Sequence, residues 1–314
     1  MAFDLRPLSL GELLDRSFSL YRRNFWLFVG IMALPSLIAL GFGVIVAVFN
    51  PQPVNPESVA AGETQPAEIL GAVAWFVAAV FGMLIVYFVT YAVALGATTV
   101  AVSELYMGRA ITIRGAYAPL RGKVGRLALL LVLLAVRMFG VVILGFLAVG
   151  VATAMSAAGS PILAVLVMLT GGIGVFALWV WVILRYAVTV PAAVLEDETA
   201  TAAIQRSIDL TRGSLLRVFV LLLFTMIITY AVLAIFQGPF LVAAVMAGPE
   251  TSGGFWFNLL GTITGSIGGA FTAPLMIVAF AVLYYDLRVR REGLDLQVMM
   301  ANLDAGTSVA APTS

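Results

Sequence analysis

The sequence predicts an all-α membrane protein: six transmembrane helices, with short amphipathic interfacial helices on the cytoplasmic side. Three observations carry this. The 314 residues are 62% hydrophobic and only 11% charged, where a soluble domain has about 25% charge. The mean hydropathy is +1.09, so the polar residues are too few to cover a water-soluble fold. Finally, six stretches are long and apolar enough to cross a ~30 Å hydrocarbon core at ~1.5 Å per helical residue.

The spans fall near residues 25–49, 70–95, 127–152, 161–186, 216–238 and 257–285 of a single polytopic domain covering 1–302. The chain reaches the first span through "SLGELLDRSFSLYRR" (9–23). Ser9 and Glu12 have the spacing of a capping box. Leu10, Leu13, Leu14, Phe18 and Tyr21 then share one helical face, and Glu12, Asp15, Arg16, Ser19 and Arg22 share the other. Such a helix is expected to lie in the interface, with its apolar face among acyl chains. The first span is too long and wrongly flanked for a cleavable signal peptide and is expected to remain as an anchor. The second has no helix breaker before Tyr106 and can continue that far. The third and fourth are joined by "SAAGSP", a tight turn. Pro191 is expected to kink the end of the fourth. Asp197 or Thr199 then caps the next amphipathic helix and Gly213 ends it. Segment 50–69 reads as an irregular outer loop and 303–314 as a disordered tail.

Arginine placement orients the chain. All 17 basic residues except Lys123 are arginine. Sixteen of them cluster before span one, between spans two and three, around the junction of spans four and five, and after span six, and the seventeenth, Arg137, lies inside span three; loops 50–69, 153–160 and 239–256 contain none. The positive-inside rule therefore places both termini in the cytoplasm. The preference for arginine, with many alanines, valines and glycines, suggests a bacterium with a GC-rich genome, and the expected location is its plasma membrane.

The arrangement recurs. Arg16-Ser17-Phe18-x-Leu20-x-Arg22 matches Arg206-Ser207-Ile208-x-Leu210-x-Arg212, and Tyr117-x-x-x-Arg121-Gly122 matches Ile208-x-x-x-Arg212-Gly213. This suggests three units, each an interfacial helix followed by a membrane hairpin.

Few residues offer chemistry. With no cysteine or histidine, thiol, histidine-base and Cys/His zinc chemistry are excluded. No cofactor is implied. Glu196-Asp197-Glu198 cannot converge on one ion from a helix, so no metal is expected. No basic stripe with interleaved aromatics suggests nucleic acid. The candidate polar or ligand site comprises Arg137, Glu104, Arg185, Glu196, Arg206 and Asp286. Arg137 sits ten residues beyond Leu127, ~15 Å deep. It is expected to face the bundle interior, toward Tyr87, Tyr91 or Glu104. Glu196 is expected to pair with Arg206, and Asp286 with Arg185 or Arg288. Arg16, Arg22, Arg23, Arg121, Arg212, Arg288, Arg290 and Arg291 are candidate headgroup contacts for anionic membrane lipids. Gly261, Gly265, Gly269 and Ala273 form a small-residue ridge, for packing within the bundle or against a second copy.

"LRPLSLGELLDRSFSLYRRNFWLFVG" (5–30), "VPAAVLEDETATAAIQRSIDLTRG" (190–213) and "LYYDLRVRREGLDLQ" (283–297) resemble bacterial integral membrane proteins described as similar to the membrane domain of glycerophosphoryl diester phosphodiesterase. The resemblance spans nearly the whole chain and implies a six-span membrane protein. It does not imply phosphodiesterase activity, which in enzymes of that name belongs to a separate soluble domain using histidines and metal-binding carboxylates. The expectation is a non-enzymatic, lipid-contacting scaffold that holds partners at the membrane. The alternative is a small permease for a lipid-like or apolar solute.

Overall fold

The computed structural model describes residues 6–48, 66–157, 159–248 and 251–293, in which every regular element is a helix. α1 (Leu10–Arg23) is started by the predicted capping box: the Ser9 hydroxyl accepts the Glu12 N–H and the Glu12 side chain accepts the Ser9 N–H. After Asn24 the chain enters α2 (Phe25–Val48). α3 (Pro66–Tyr106) runs through the predicted second span to Tyr106. It also begins inside the segment expected as an outer loop, with proline at a first position where its missing N–H costs nothing. The rest of that loop and the tail at 303–314 lie outside the described residues.

A short helix α4 (Ile113–Tyr117) and one 3-10 turn lead to α5 (Val124–Ala157). Its hairpin partner α6 (Pro161–Arg185) starts with Ser160 as cap. The chain breaks at Tyr186–Val188, three residues before Pro191, which sits in the first turn of α7 (Thr189–Leu195), where proline is tolerated. Thr199, not Asp197, caps α8 (Ala200–Thr211), and Gly213 follows it at φ +79°. α9 (Leu215–Ala247) and α10 (Ser252–Glu292) are both longer than the spans read from hydropathy. Among the described residues, six helices are long and apolar enough to cross a membrane.

α10 is the axis of the fold. It packs against α9, α2, α1 and α3, and from Thr272 to Val289 most of its residues are buried. α3 approaches it through a run of small residues, Ala92, Ala94, Ala97 and Ala101, all buried; close approach of this kind suits helices that lack a hydrophobic drive in lipid. Gly96 admits Leu120 and Leu127, whose methyls would lie 3.0 and 3.1 Å from a Cβ there. The predicted apolar face of α1 is turned onto protein instead of lipid: Leu13, Leu20 and Tyr21 are buried with Ser17, Leu10 and Leu14 are half-buried, and only Phe18 is exposed. α8 likewise buries Ala203, Ile204, Ser207 and Leu210. These helices and α7 close a layer around the ends of α3 and α10, where both ends of the described chain meet. All the described arginines but Arg137 lie in this layer or at its rim, and we call it the basic end.

The hairpin of α5 and α6 contrasts with it. The buried residues of α5 are Leu127, Leu130 and Leu134, all in its first turns. Beyond them the two helices hold chiefly each other, through close contacts of Gly145 with Val175 and of Gly171 with Val149.

Candidate functional site

Two ion-pair networks tie the basic end together. In the first, Asp286, with a fully enclosed side chain, accepts the Leu8 N–H at 2.8 Å, Arg217 at 2.9 Å and Arg290 Nε at 3.1 Å. Arg217 and Arg290 also donate to the Leu8 carbonyl, the former at 2.8 Å. One carboxylate and two guanidinium groups therefore grip both polar groups of a single peptide residue, 278 positions away in sequence. The expected partners of Asp286, Arg185 and Arg288, are replaced for geometric reasons. Arg290 is four residues on and shares Asp286's face, whereas Arg288 is two residues on and points elsewhere. Arg185 instead stacks over Trp181 at 4.6 Å, and its Nε is buried without a hydrogen-bond partner.

The second network contains the predicted Glu196–Arg206 pair, bidentate at 2.8 and 3.1 Å. Arg206 also meets Glu292 at 2.5 Å, and Arg288 meets Glu292 at 3.0 Å. The Tyr284 hydroxyl donates to Glu196 at 2.5 Å. Burial alone would raise the Glu196 carboxyl, but hydrogen bonds from Arg206 and Tyr284 outweigh it and hold the group below the usual range. A smaller latch forms where Lys123 (2.7 Å) and Arg126 converge on Asp197, a residue at φ +56°. Their hydrogen bonds lower its carboxyl to about 2. Arg16 donates to the Tyr106 hydroxyl at 2.7 Å, and Tyr106 stacks on Tyr285.

These networks divide the predicted headgroup arginines. Arg16, Arg288 and Arg290 have protein partners. Arg22, Arg23, Arg121, Arg212 and Arg291 are exposed, with no hydrogen-bond or ion-pair partner among the described residues. Arg114, not singled out from sequence, joins this second group. The three segments matched to one another in the sequence respect the division. Ser17, Ala116 and Ser207 occupy one repeat position and all are buried. Arg22, Arg121 and Arg212 occupy another and all point out.

Arg137 is a correction. It does not face the interior: it is exposed on α5, beyond Leu134, with no polar partner among the described residues. The reason is that α5 has left the bundle by this point. Glu104, its suggested partner, pairs with Arg109 (2.8 Å), and Tyr87 and Tyr91 face a cavity. The small-residue ridge is also divided. Gly261 and Gly265 admit Phe240 and Gln237 of α9, whereas Gly269 and Ala273 line open space. Among the described residues no three His, Cys, Asp or Glu side chains gather where an ion could bind.

Partners missed from sequence are Arg217, Glu292 and the Leu8 backbone. The only signal for Arg217 was a basic residue just inside an apolar span; for Leu8 there was none.

Fold and site together define a polytopic α-helical membrane protein with an arginine-rich, internally ion-paired end. Residues 160–303 match the family model described as the membrane domain of glycerophosphoryl diester phosphodiesterase. The match supports the resemblance carried by 190–213 and 283–297. The opening segment at 5–30 falls outside it, so it covers the second half of the chain and not nearly all of it. No curated protein and no solved structure matches the chain.

Proposed function

We propose that this is a non-enzymatic protein of the bacterial plasma membrane that organises anionic lipid, and partners gathered with it, at the cytoplasmic face. The observation that carries the reading is the outward set of Arg22, Arg121 and Arg212. Three equivalent positions, each just before a span, present an arginine whose charge nothing in the described protein neutralises. Each guanidinium suits a lipid phosphate, at about 1 kcal/mol per contact. The arginine distribution supports a cytoplasmic basic end and cytoplasmic termini. A non-enzymatic role is supported by the state of the buried Asp286 and the half-buried Glu196: each is held by two arginines, so neither is poised as a general base.

The test is thermal unfolding of the purified protein with added phosphatidylglycerol or phosphatidylcholine. The anionic lipid should raise the midpoint further, since a ligand that binds only the fold stabilises it. Replacing Arg22, Arg121 and Arg212 together by glutamine should erase that difference and leave the midpoint in phosphatidylcholine unchanged. Equal shifts for both lipids, or a triple variant that keeps the difference, would contradict the proposal.

The alternative, a permease for a lipid-like solute, draws on prolines inside three spans, Pro35, Pro239 and Pro274, each of which removes a helical hydrogen bond and eases bending of its helix.

A further inference from the structure

Between the spans two partly open cavities of about 190 and 310 Å³ lie on either side of Tyr91, Gly269 and Ala273, which line both. The smaller is closed by α2 over Met32–Ala39, which at ~1.5 Å per residue is ~10–21 Å past Phe25, the middle of a ~30 Å core. The larger opens beside Thr229, Tyr230 and Thr272. At ~30 Å³ per water-sized group they hold about six and about ten such groups.

Ser266 and Thr272 donate to carbonyls of their own helix, but other polar groups here are left unmatched. Tyr87 and Tyr91 stack with ring centroids 5.6 Å apart, and neither hydroxyl has a hydrogen-bond partner among the described residues. On α10, Pro274 removes the N–H that would bond the Ala270 carbonyl, and Ala270 lines the same cavity. The corresponding defect on α2 is repaired: Pro35 frees the Ile31 carbonyl, and the Tyr117 hydroxyl donates to it at 2.6 Å. In hydrocarbon an unmatched hydroxyl or carbonyl costs about 1–3 kcal/mol, so donors and an acceptor around one cavity call for an occupant offering both. No Asp, Glu, Lys or Arg among the described residues lines either cavity, which disfavours a charged occupant. Gly269 is the gate to this space, because a Cβ there would meet nothing within 4 Å.

We propose that the cavities around Tyr91 bind a neutral amphiphile, an apolar chain bearing a hydroxyl or carbonyl group, at mid-membrane. The site is separate from the headgroup arginines and does not depend on their role. It is tested with the full chain in lipid nanodiscs and a diazirine-bearing long-chain alcohol. Two further probes carry the same chain, one without the hydroxyl and one with a phosphocholine head. The alcohol should label peptides containing residues 87–91 and 266–273, and unlabelled alcohol should compete. Gly269→Leu should abolish that labelling without lowering the unfolding midpoint, since leucine enters open space and favours helix. Tyr91→Phe, which removes one oxygen, should weaken labelling about two- to tenfold, the worth of one hydrogen bond, down toward the level of the hydrocarbon probe. Labelling spread evenly over the α5–α6 hairpin and indifferent to both substitutions would overturn the proposal. So would equal labelling by the phosphocholine probe, which would mark an ordinary phospholipid tail.

Discussion

The basic end and the α5–α6 hairpin handle charge in opposite ways. At the basic end Asp286, Glu196, Glu292, Arg206, Arg217, Arg288 and Arg290 are drawn into the protein, and each is matched. On the hairpin, Arg137 stands exposed and unmatched on a helix that touches little but its partner. The contrast shows where this chain spends its specificity. The layer around the ends of α3 and α10 is built like the core of a soluble protein, with small buried residues, caps and ion pairs. The hairpin is an apolar surface that lipid can solvate. A charged network stabilises only when every member is matched, and at the basic end the Leu8 backbone and the side chains of Glu196 and Arg206 complete the matching.

The sharpest way to break the contrast is Asp286→Ala. It removes the carboxylate that Arg217, Arg290 and the Leu8 N–H share, leaving the two arginines only the Leu8 carbonyl, and should cost about 3–5 kcal/mol, read as a large fall in unfolding midpoint. Asp286→Asn keeps an acceptor for the Leu8 N–H and should cost less. Next is Glu196→Gln, with a loss of about 1.5–3 kcal/mol for charged hydrogen bonds. Combined with Arg206→Ala it should be clearly less than additive, because the two side chains share one network.

On the hairpin the prediction reverses. Arg137→Leu should leave the unfolding midpoint unchanged or raised, since it orphans no acceptor, and should favour insertion by about 2.5–3.5 kcal/mol. A midpoint that falls as far as that of Glu196→Gln would mean Arg137 is held by protein after all. The smallest effect is acid sensitivity at the rim. The Glu12 carboxyl is held down from 4.5 to about 2, chiefly by the Ser9 N–H and then by Arg6; Asp197 is held down from 3.8 to about 2 by Lys123 and Arg126. Both pKa values are depressed on folding, so their contribution is full above the unfolded values and is lost as pH falls toward 2. Glu12→Gln and Asp197→Asn should each flatten the acid limb of a stability–pH curve, without changing it at neutral pH and above in shape.

Much of this was legible in the chain. The six spans, the Ser9–Glu12 box, the Thr199 cap, the Gly213 stop and the Glu196–Arg206 pair all follow from local rules, because each depends on residues within about a helix of one another. What was not legible depends on docking. Helical periodicity marks the apolar face of α1 but does not say whether lipid or α10 covers it. Asp286 and Arg217 are 69 residues apart and Leu8 is 278 away, so only the packed bundle joins them. Arg137 misled because depth in a span argues for an inward side chain only if the helix is surrounded, and α5 is not.

The central claim is that α1 is moored to protein by Asp286 and does not simply rest on lipid. Leu8 tests it most directly. It precedes the helix, so its N–H has no helical acceptor and is held by the Asp286 carboxylate alone. Site-resolved amide exchange of the full chain in nanodiscs, compared with Asp286→Ala, which leaves the Leu8 N–H no acceptor, reads that one bond. The account predicts a strongly protected Leu8 amide in the wild type and faster exchange in the variant, with the amides of α9 unaffected. A Leu8 amide that exchanges at the rate of an open chain in the wild type would contradict it.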